Sequence, residues 1–450
     1  MKVINLGIGY VGLNTAAALA WIGHDVCGID INAAKIESLK KGISPIRENG
    51  LDELLKNCPS LKFAVSMEHV INDADVIFIA VGTPSLPNGH ANLAYVNDAA
   101  KTIAQTILPT RDVTIVVKST VPIGINAAIE RRIRATVAAR GGDASKLHFA
   151  SNPEFLREGC ALSDTFYPDR IVVGTEDDLA FNMLSDLYAP LLNKSFKIPP
   201  SVPVPANRPD TKLLRTNQTS AEMIKYASNV FLALKISYIN EISGLCEKLG
   251  ASTADVAAGM GMDKRISPHF LNSGLGWGGS CFPKDTKAIL QMANDYGYEM
   301  PLVQAAWDVN ENQKIRIVRQ IQDELKATNG AKIAFFGLTF KPNTDDVRNS
   351  PAVDLARKLI ALGADVVFHD PVGLPNARTV YSNDAFSFED DPYDAVRGAD
   401  ALIIATEWRQ YTDVDYAKVK NLMHRPCIFD ARNILDANKI KALGFAYRGC

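Results

Sequence analysis

Apolar and polar positions along the chain alternate between two regimes. Short apolar runs at 2–6, 25–30, 75–80 and 113–117 are separated by longer stretches with helical spacing, such as 12–22 and 93–107. Continuous short runs predict strands buried on both faces, and their alternation with helices predicts a parallel sheet covered on both sides. Apolar runs at 147–150 and 171–174 extend that sheet. The pattern breaks over 194–218, where Pro199, Pro200, Pro203, Pro205 and Pro209 predict an exposed, partly extended loop. From 221 to 249 no proline interrupts apolar positions at helical spacing, and 305–326 is similar, so the middle of the chain predicts as helical. At Ala331 the alternation of strand and helix restarts. The run 333–336 leads into Gly337, 366–368 ends at His369-Asp370, and 401–404 and 428–429 follow.

The expected fold is α/β: two Rossmann-like doubly wound domains joined by a long central helix. The expected boundaries are a nucleotide-binding domain at 1–193, the proline-rich loop at 194–218, a central helical domain at 219–328 and a second α/β domain at 329–450. A length of 450 residues fits two or three cores. With 48 basic against 50 acidic residues, no sequence-wide charge calls for nucleic acid or an acidic membrane. No apolar run reaches membrane-spanning length, and the chain opens directly on a strand without a leader pattern. Seven cysteines without paired or metal-ligand spacing predict reduced thiols, no metal centre and a cytoplasmic protein.

Gly7-Ile8-Gly9-Tyr10-Val11-Gly12 lies between a strand and a helix, where glycines permit a tight turn and close approach of a pyrophosphate. Asp30 ends the next strand at the distance expected of a ribose-binding acid, which selects NAD over NADP; a plain strand-end acid is the other reading. Thr83 and Thr120 follow apolar strands and face the ligand end of such a sheet, unless they are simple turn residues. Glu154 and Glu158, four apart after another strand, offer a general base, although loop glutamates are commonly just solvated. Lys225 and Asn229 sit one turn apart on the long helix, as an oxyanion site or as a surface pair. Cys281, in Gly278-Gly279-Ser280-Cys281-Phe282-Pro283, stands just ahead of a helix N-terminus in a loop whose glycines let a ligand approach. There a thiol leans toward thiolate. Asp285 either complements the helix dipole or serves the sulfur. Lys341 and Arg348 follow the first strand of the second α/β domain and could bind anionic groups.

Taken in order, GIGYVG, VGTP, STVP, NPEFLREG, AEMIKYASN, GGSCFPKD and FKPNTDDVRNSP resemble the nucleotide-sugar 6-dehydrogenases through nearly the whole chain. GGSCFPKD separates the chain from the UDP-N-acetylhexosamine branch. The GDP-mannose branch shares GGSC, but Pro168-Asp169-Arg170-Ile171-Val172 and Thr406-Glu407-Trp408 are similar to the UDP-glucose branch. The resemblance implies a four-electron oxidation of a primary alcohol to a carboxylate with two NAD molecules in turn. It implies Cys281 as nucleophile, Lys225 and Asn229 at the oxyanion, and Asp285 near the sulfur. Glu154 becomes the base for thioester hydrolysis, with Thr120 and Glu158 lining the same space. It implies cofactor contacts from Gly7, Gly9, Val11, Gly12, Asp30, Lys35, Thr83, Thr120, Glu158, Lys284 and Arg348. UDP-glucose would be held by Glu154, Phe155, Leu156, Arg157, Glu158, Lys225 and Asn229. Phe270, Leu271, Asn272, Ser273, Gly274, Leu275, Gly278 and Lys341 would complete that set, with Arg265 reaching across a homodimer interface.

Two departures stand out: the 194–218 segment is longer than the family pattern, and Asn92 replaces a common aspartate. Three rivals remain. A GDP-mannose dehydrogenase would share the chemistry. A two-electron β-hydroxyacid dehydrogenase also pairs lysine with asparagine but gives Cys281 no role. A non-catalytic NAD-binding sensor leaves the whole predicted set unused.

Overall fold

The computed structural model describes residues 1–208 and 210–450 and divides into two compact units, Met1–Ala227 and Ser228–Cys450. In the first unit the strands are β1 (Lys2–Leu6), β2 (Asp25–Ile29), β3 (Leu61–Ala64), β4 (Val76–Ile79), β5 (Val113–Val117), β6 (Leu147–Ser151), β7 (Arg170–Gly174) and β8 (Lys212–Thr216). They form one sheet in the order β3-β2-β1-β4-β5-β6-β7-β8. Pairing is parallel from β3 to β6. β7 then lies antiparallel to β6 through Ser151 and Gly174, and β8 runs parallel to β7. The runs at 147–150 and 171–174 thus extend the sheet, the second in the reverse direction.

The inner strands are largely apolar because each face carries its own core. Val3, Val76 and Phe78 pack on one side with Leu13, Leu162 and Leu184. Ile4, Ile77 and Ile79 pack on the other with Ile103 and Ile133. Successive side chains leave a strand on opposite faces, so a strand between two helical layers lacks the regular polar alternation of a half-exposed one. β1 has β2 on one side and β4 on the other, which puts a switch in winding direction at its carboxyl end. Ligands of open α/β sheets bind at such a point.

The second unit repeats this winding. Its strands β9 (Lys332–Phe336), β10 (Asp365–His369), β11 (Ser387–Phe388), β12 (Ala401–Ile404), β13 (Cys427–Asp430) and β14 (Ala446–Gly449) form an all-parallel sheet in the order β11-β10-β9-β12-β13-β14. Ile333, Phe335 and Ile403 fill one face and Ala334, Phe336 and Ile404 the other. The unit also carries helices Thr253–Gly261, Phe282–Asp295 and Pro301–Leu325. The last starts a turn earlier than its apolar spacing predicts, because Pro301 occupies the first helical position, where its fixed φ and missing N–H cost nothing. The long helix Gln218–Leu249 contains the boundary between the units.

The proline-rich segment is largely exposed, as expected, but it is anchored to the unit at several points. Val202 is 3% exposed and belongs to the first unit's core. The Arg208 guanidinium stacks on Tyr167 and Phe196 at 4.9 and 5.1 Å. Lys212–Thr216 adds strand β8 to the sheet edge. Prolines remove backbone donors but leave neighbouring apolar side chains free to dock. Pro209 lies outside the described residues.

Candidate active site

The candidate residues fall into two clusters, one in each unit. In the first, the glycine turn after β1 is built by close packing. Gly7 has φ +91°, and a Cβ there would lie 2.8 Å from the Ala80 carbonyl oxygen. A Cβ on Gly12 would lie 1.8 Å from the Gly7 oxygen. Asn5 Nδ2 ties the turn together by donating to the Gly7 and Gly12 carbonyls at 3.2 and 3.1 Å. Gly9 is different: a Cβ there would meet nothing within 4 Å. Gly9 precedes helix Tyr10–Trp21, so its open side faces the space where a pyrophosphate reaches helix N–H groups. The site residues therefore fit a dinucleotide.

Asp30 ends β2 beside this turn. Its Oδ2 accepts the Ile8 N–H at 3.1 Å and Lys35 Nζ at 2.8 Å, and its Oδ1 accepts the Asn32 N–H at 2.9 Å. Burial opposes its ionisation, but these donors, Lys35 foremost, hold its carboxyl below the usual range. A charged acceptor at this position suits ribose hydroxyls and repels a 2′-phosphate. Thr83 and Thr120 meet directly, Thr83 Oγ1 donating to the Thr120 carbonyl at 2.8 Å.

Beyond β6, Glu154 and Lys225 form a buried ion pair at 2.7 Å, with side chains 7% and 4% exposed. The second Glu154 oxygen accepts the Leu156 N–H at 2.6 Å. Burial pushes the Glu154 carboxyl up, yet Lys225 and the Leu156 N–H outweigh it and hold the group below the ordinary carboxylate range. The Phe155 ring carries cations, Arg170 at 3.8 Å and Lys225 at 5.6 Å from its centroid. Arg157 is bidentate to Asp164, and Glu158 is half-exposed. The loop bearing Thr120 is anchored by Glu222, a residue of the long helix. Its carboxylate accepts the Gly124 and Asn126 N–H groups at 2.6 and 2.9 Å, and so caps helix Ile125–Ala139.

In the second unit Cys281 occupies the N-cap of helix Phe282–Asp295 with Pro283 in the first turn, as predicted, and is half-exposed. Its sulfur lies 3.7 Å from Ser280 Oγ. Asp285 is 1% exposed and held from two sides, by Asn229 Nδ2 at 2.6 Å and by Lys284 Nζ. Lys284, expected toward the cofactor, is thus paired within its own helix.

The glycines before Cys281 have a packing reason besides the one predicted. A Cβ on Gly276 would lie 2.5 Å from Asn310 Oδ1, on Gly278 2.2 Å from the Asn349 oxygen, and on Gly279 2.6 Å from the Phe340 ring. Protein fills the space that a Cβ would take at each. Asn310 secures the loop by accepting the Trp277 N–H at 2.8 Å and donating to its carbonyl at 3.1 Å. In the 270–275 stretch, Phe270 has φ +64°, Gly274 is held by Asn240 and Gln313, Leu275 donates to the Ala431 carbonyl, and Ser273 donates to the Cys450 carbonyl. Lys341 lies 5.6 Å from the Phe340 ring. Arg265 is exposed and bidentate to Asp263, and Arg348 pairs with Asp346.

Family models match three stretches. The UDP-glucose/GDP-mannose dehydrogenase family's NAD binding domain covers residues 1–192, its central domain 219–312 and its UDP binding domain 334–437. The chain belongs to the UDP-glucose/GDP-mannose dehydrogenase family. Over 99% of its length it is 44% identical to UDP-glucose 6-dehydrogenase YwqF of Bacillus subtilis, covering 97% of that protein. It is 43% identical to the UDP-glucose 6-dehydrogenase of Rhizobium meliloti, with 99% and 98% of the two chains covered. The structure of a UDP-glucose dehydrogenase from Pyrobaculum islandicum superposes with a TM-score of 0.86 at 39% identity, covering 100% of this chain and 97% of that one. The protein is an NAD-dependent oxidoreductase of this family, with the α/β fold and long central helix that its sequence predicts. Among the described residues no helix is long and apolar enough to cross a membrane, and no cluster of metal-ligating side chains is present.

Sequence reasoning passed over Lys118, Asn152, Glu222 and Asn310. One signal was available: Lys118 directly continues the largely apolar strand 113–117, and the structure buries it.

Proposed function

We propose that this enzyme oxidises C6 of UDP-glucose to the carboxylate, giving UDP-glucuronate, through a thioester on Cys281. The observation that carries this reading is the sulfur at the N-terminal boundary of helix Phe282–Asp295, one turn from buried Asp285. Such a position favours thiolate, and a two-electron alcohol dehydrogenase has no use for a nucleophile there. The substrate assignment is supported by the relatives at 44% and 43% identity and by the match to a UDP binding domain.

Over the cycle the CH2OH group and one water yield a carboxylate, two hydrides passing to two NAD molecules and three protons being released. Buried Lys225, aided by Asn229, donates to the C6 oxygen as it becomes an oxyanion. The Cys281 thiolate adds to the C6 aldehyde and forms the S–C bond that a second oxidation turns into a thioester. Glu154, kept in its basic form, takes a proton from the water that attacks the thioester, and the C–S bond breaks to return the thiolate. Asp285 positions water near the sulfur. Thr120 and residues 155–158 line the sugar, and 270–275, Gly278, Arg265 and Lys341 hold the nucleotide sugar. Gly7, Gly9, Val11, Gly12, Asp30, Lys35, Thr83, Lys284 and Arg348 serve the cofactor.

A homodimer is part of the same reading. Exposed Phe231, Tyr238 and Leu245 recur every seventh residue on helix Gln218–Leu249, an apolar stripe suited to a second copy.

The test is NADH formed per molecule of limiting UDP-glucose. Two per sugar, with acid formation lost in Cys281→Ala, is the expected result. One per sugar in the wild type sinks the thioester route, and turnover of GDP-mannose alone replaces the substrate.

A further inference from the structure

Of the three glycines ahead of Cys281, two have positive φ, +106° at Gly276 and +82° at Gly279. A glycine-rich segment has many conformations open to it, so a sulfur at its end stays in one place only where the backbone is tied down. Both polar backbone groups of Trp277 are tied to a single side chain. Asn310 Oδ1 accepts the Trp277 N–H at 2.8 Å, and Asn310 Nδ2 donates to the Trp277 carbonyl at 3.1 Å. Two residues on, Asn349 does the same for Gly279, its carbonyl accepting the Gly279 N–H at 3.2 Å and its Nδ2 donating to the Gly279 carbonyl at 3.4 Å. Gly276 and Gly278 let the two asparagines close in, since a Cβ on either would run into Asn310 Oδ1 or the Asn349 oxygen. The Trp277 side chain is fixed as well. Its indole N–H donates to Ser237 Oγ at 2.9 Å, and its ring stands edge-on to Phe282 with centroids 6.4 Å apart. Phe282 directly follows Cys281, so the residue that bears the sulfur is braced on both sides.

We propose that Asn310 is a positioning residue for Cys281: by gripping both backbone groups of Trp277 it holds the sulfur at the helix boundary from which it attacks the C6 aldehyde. It acts through the loop backbone rather than on the reacting atoms. The inference rests on the assignment of Cys281 as the nucleophile. Asn310 and Trp277 are only 4% and 5% exposed, so water does not readily replace either hydrogen bond when the amide is removed. A nucleophile displaced by about 1 Å can lose on the order of a hundredfold in rate.

The test separates kcat from KM, well below the melting midpoints, in the wild type, Asn310→Ala, Asn310→Asp and Gln320→Ala. Asn310→Ala should lower kcat at least about tenfold while KM for UDP-glucose and for NAD stays within about twofold. Asn310→Asp keeps an acceptor for the Trp277 N–H but has no donor for its carbonyl; it should lower kcat too, and carries the reading if the alanine variant does not fold. Gln320 lies on the same helix and bonds Glu247 at 2.9 and 3.1 Å, away from the loop. Its alanine variant should lose stability and keep kcat. A wild-type kcat in the Asn310 variants, a raised KM at unchanged kcat, or an equal fall of kcat in Gln320→Ala overturns the proposal. A second measurement needs no turnover: the pH midpoint for alkylation of Cys281 by iodoacetamide, read by mass spectrometry on the peptide that carries it. In the Asn310 variants the midpoint should rise toward the ordinary thiol value of about 8.5 as the sulfur leaves the helix N-terminus. An unmoved midpoint overturns the proposal. A raised midpoint in an enzyme that forms one NADH per sugar keeps Asn310 as the residue that places the sulfur and removes only the thioester route.

Discussion

Lys225→Met isolates the energetics of the buried pair. Lys225 Nζ and Glu154 Oε1 are 2.7 Å apart with both side chains almost fully buried, and the Leu156 N–H also donates to the carboxylate. Taking away the lysine leaves a carboxylate in a low-dielectric site. Breaking a buried pair from one side costs about 3–5 kcal/mol, whereas replacing both partners by apolar groups is often neutral. For a unit of the size of Met1–Ala227, that corresponds to a fall in melting midpoint on the order of 10 °C. The double variant Glu154→Leu/Lys225→Met should recover most of the loss. The pH dependence gives an independent sign. In the wild type Glu154 lies below its ordinary value, so its stabilising contribution is present above the unfolded value of about 4.5 and is lost as pH falls through the folded one. In Lys225→Met burial prevails, the carboxyl rises, and acidification from neutrality becomes stabilising. Thermal melts of the three proteins at about pH 5 and 8 decide the matter. A single variant no less stable than the double one, or a deficit that ignores pH, would refute the reasoning.

Asp30→Ala removes the charged acceptor expected to bond the ribose. Charge-assisted hydrogen bonds contribute about 1.5–3 kcal/mol, so titration calorimetry should show NAD affinity lowered at least about tenfold. Unchanged affinity would make Asp30 a plain strand-end acid that holds the Ile8 N–H and Lys35. Phe231→Glu places a charge in the middle of the exposed stripe on helix Gln218–Leu249. Light scattering should report half the wild-type mass; a wild type that is already monomeric removes the dimer.

The apolar runs at 2–6 and 113–117 coincide with β1 and β5 because strands buried on both faces leave no ambiguity of period. The strands that the runs do not announce are β3, β8, β11 and β14, and these are the four sheet edges. An edge strand is covered on fewer sides and mixes exposed with half-buried positions, as in Lys212–Thr216 and Ala446–Gly449, so its apolar signal dissolves. The site divides in the same way. Cys281 and Asp285 were legible because both belong to one helix start. The pairing of Glu154 with Lys225 joins positions 71 residues apart and depends on the sheet that brings them together. Glycine is ambiguous for a related reason. At Gly9 the missing Cβ leaves open space, whereas at Gly276 and Gly278 it admits Asn310 and the Asn349 carbonyl, and the letter in the sequence is the same.

The two α/β halves show how far position alone determines use. Gly7 after β1 and Gly337 after β9 both have positive φ, +91° and +102°. Each is followed by an acid at the end of the neighbouring strand, Asp30 after β2 and Asp370 after β10. The N–H after each glycine donates to that acid, Ile8 at 3.1 Å and Leu338 at 2.7 Å. From there the halves diverge. Asp30 keeps partial exposure, and its partners besides Ile8 are Lys35 and Asn32, on the helix start that follows it. Asp370 is 3% exposed and is enclosed by Thr339, Trp408, Val372 and Gly373 in addition to Leu338. An acid already surrounded by that many donors has no lone pair turned outward for a ribose. The second half therefore retains the winding of a dinucleotide fold while its ribose-position acid staples the turn after β9. Trp408, in the loop after β12, is the residue whose indole N–H closes that position. The same local pattern thus leaves its acid partly exposed in one unit and encloses it in the other, and the difference is made by a side chain arriving from a distant strand end.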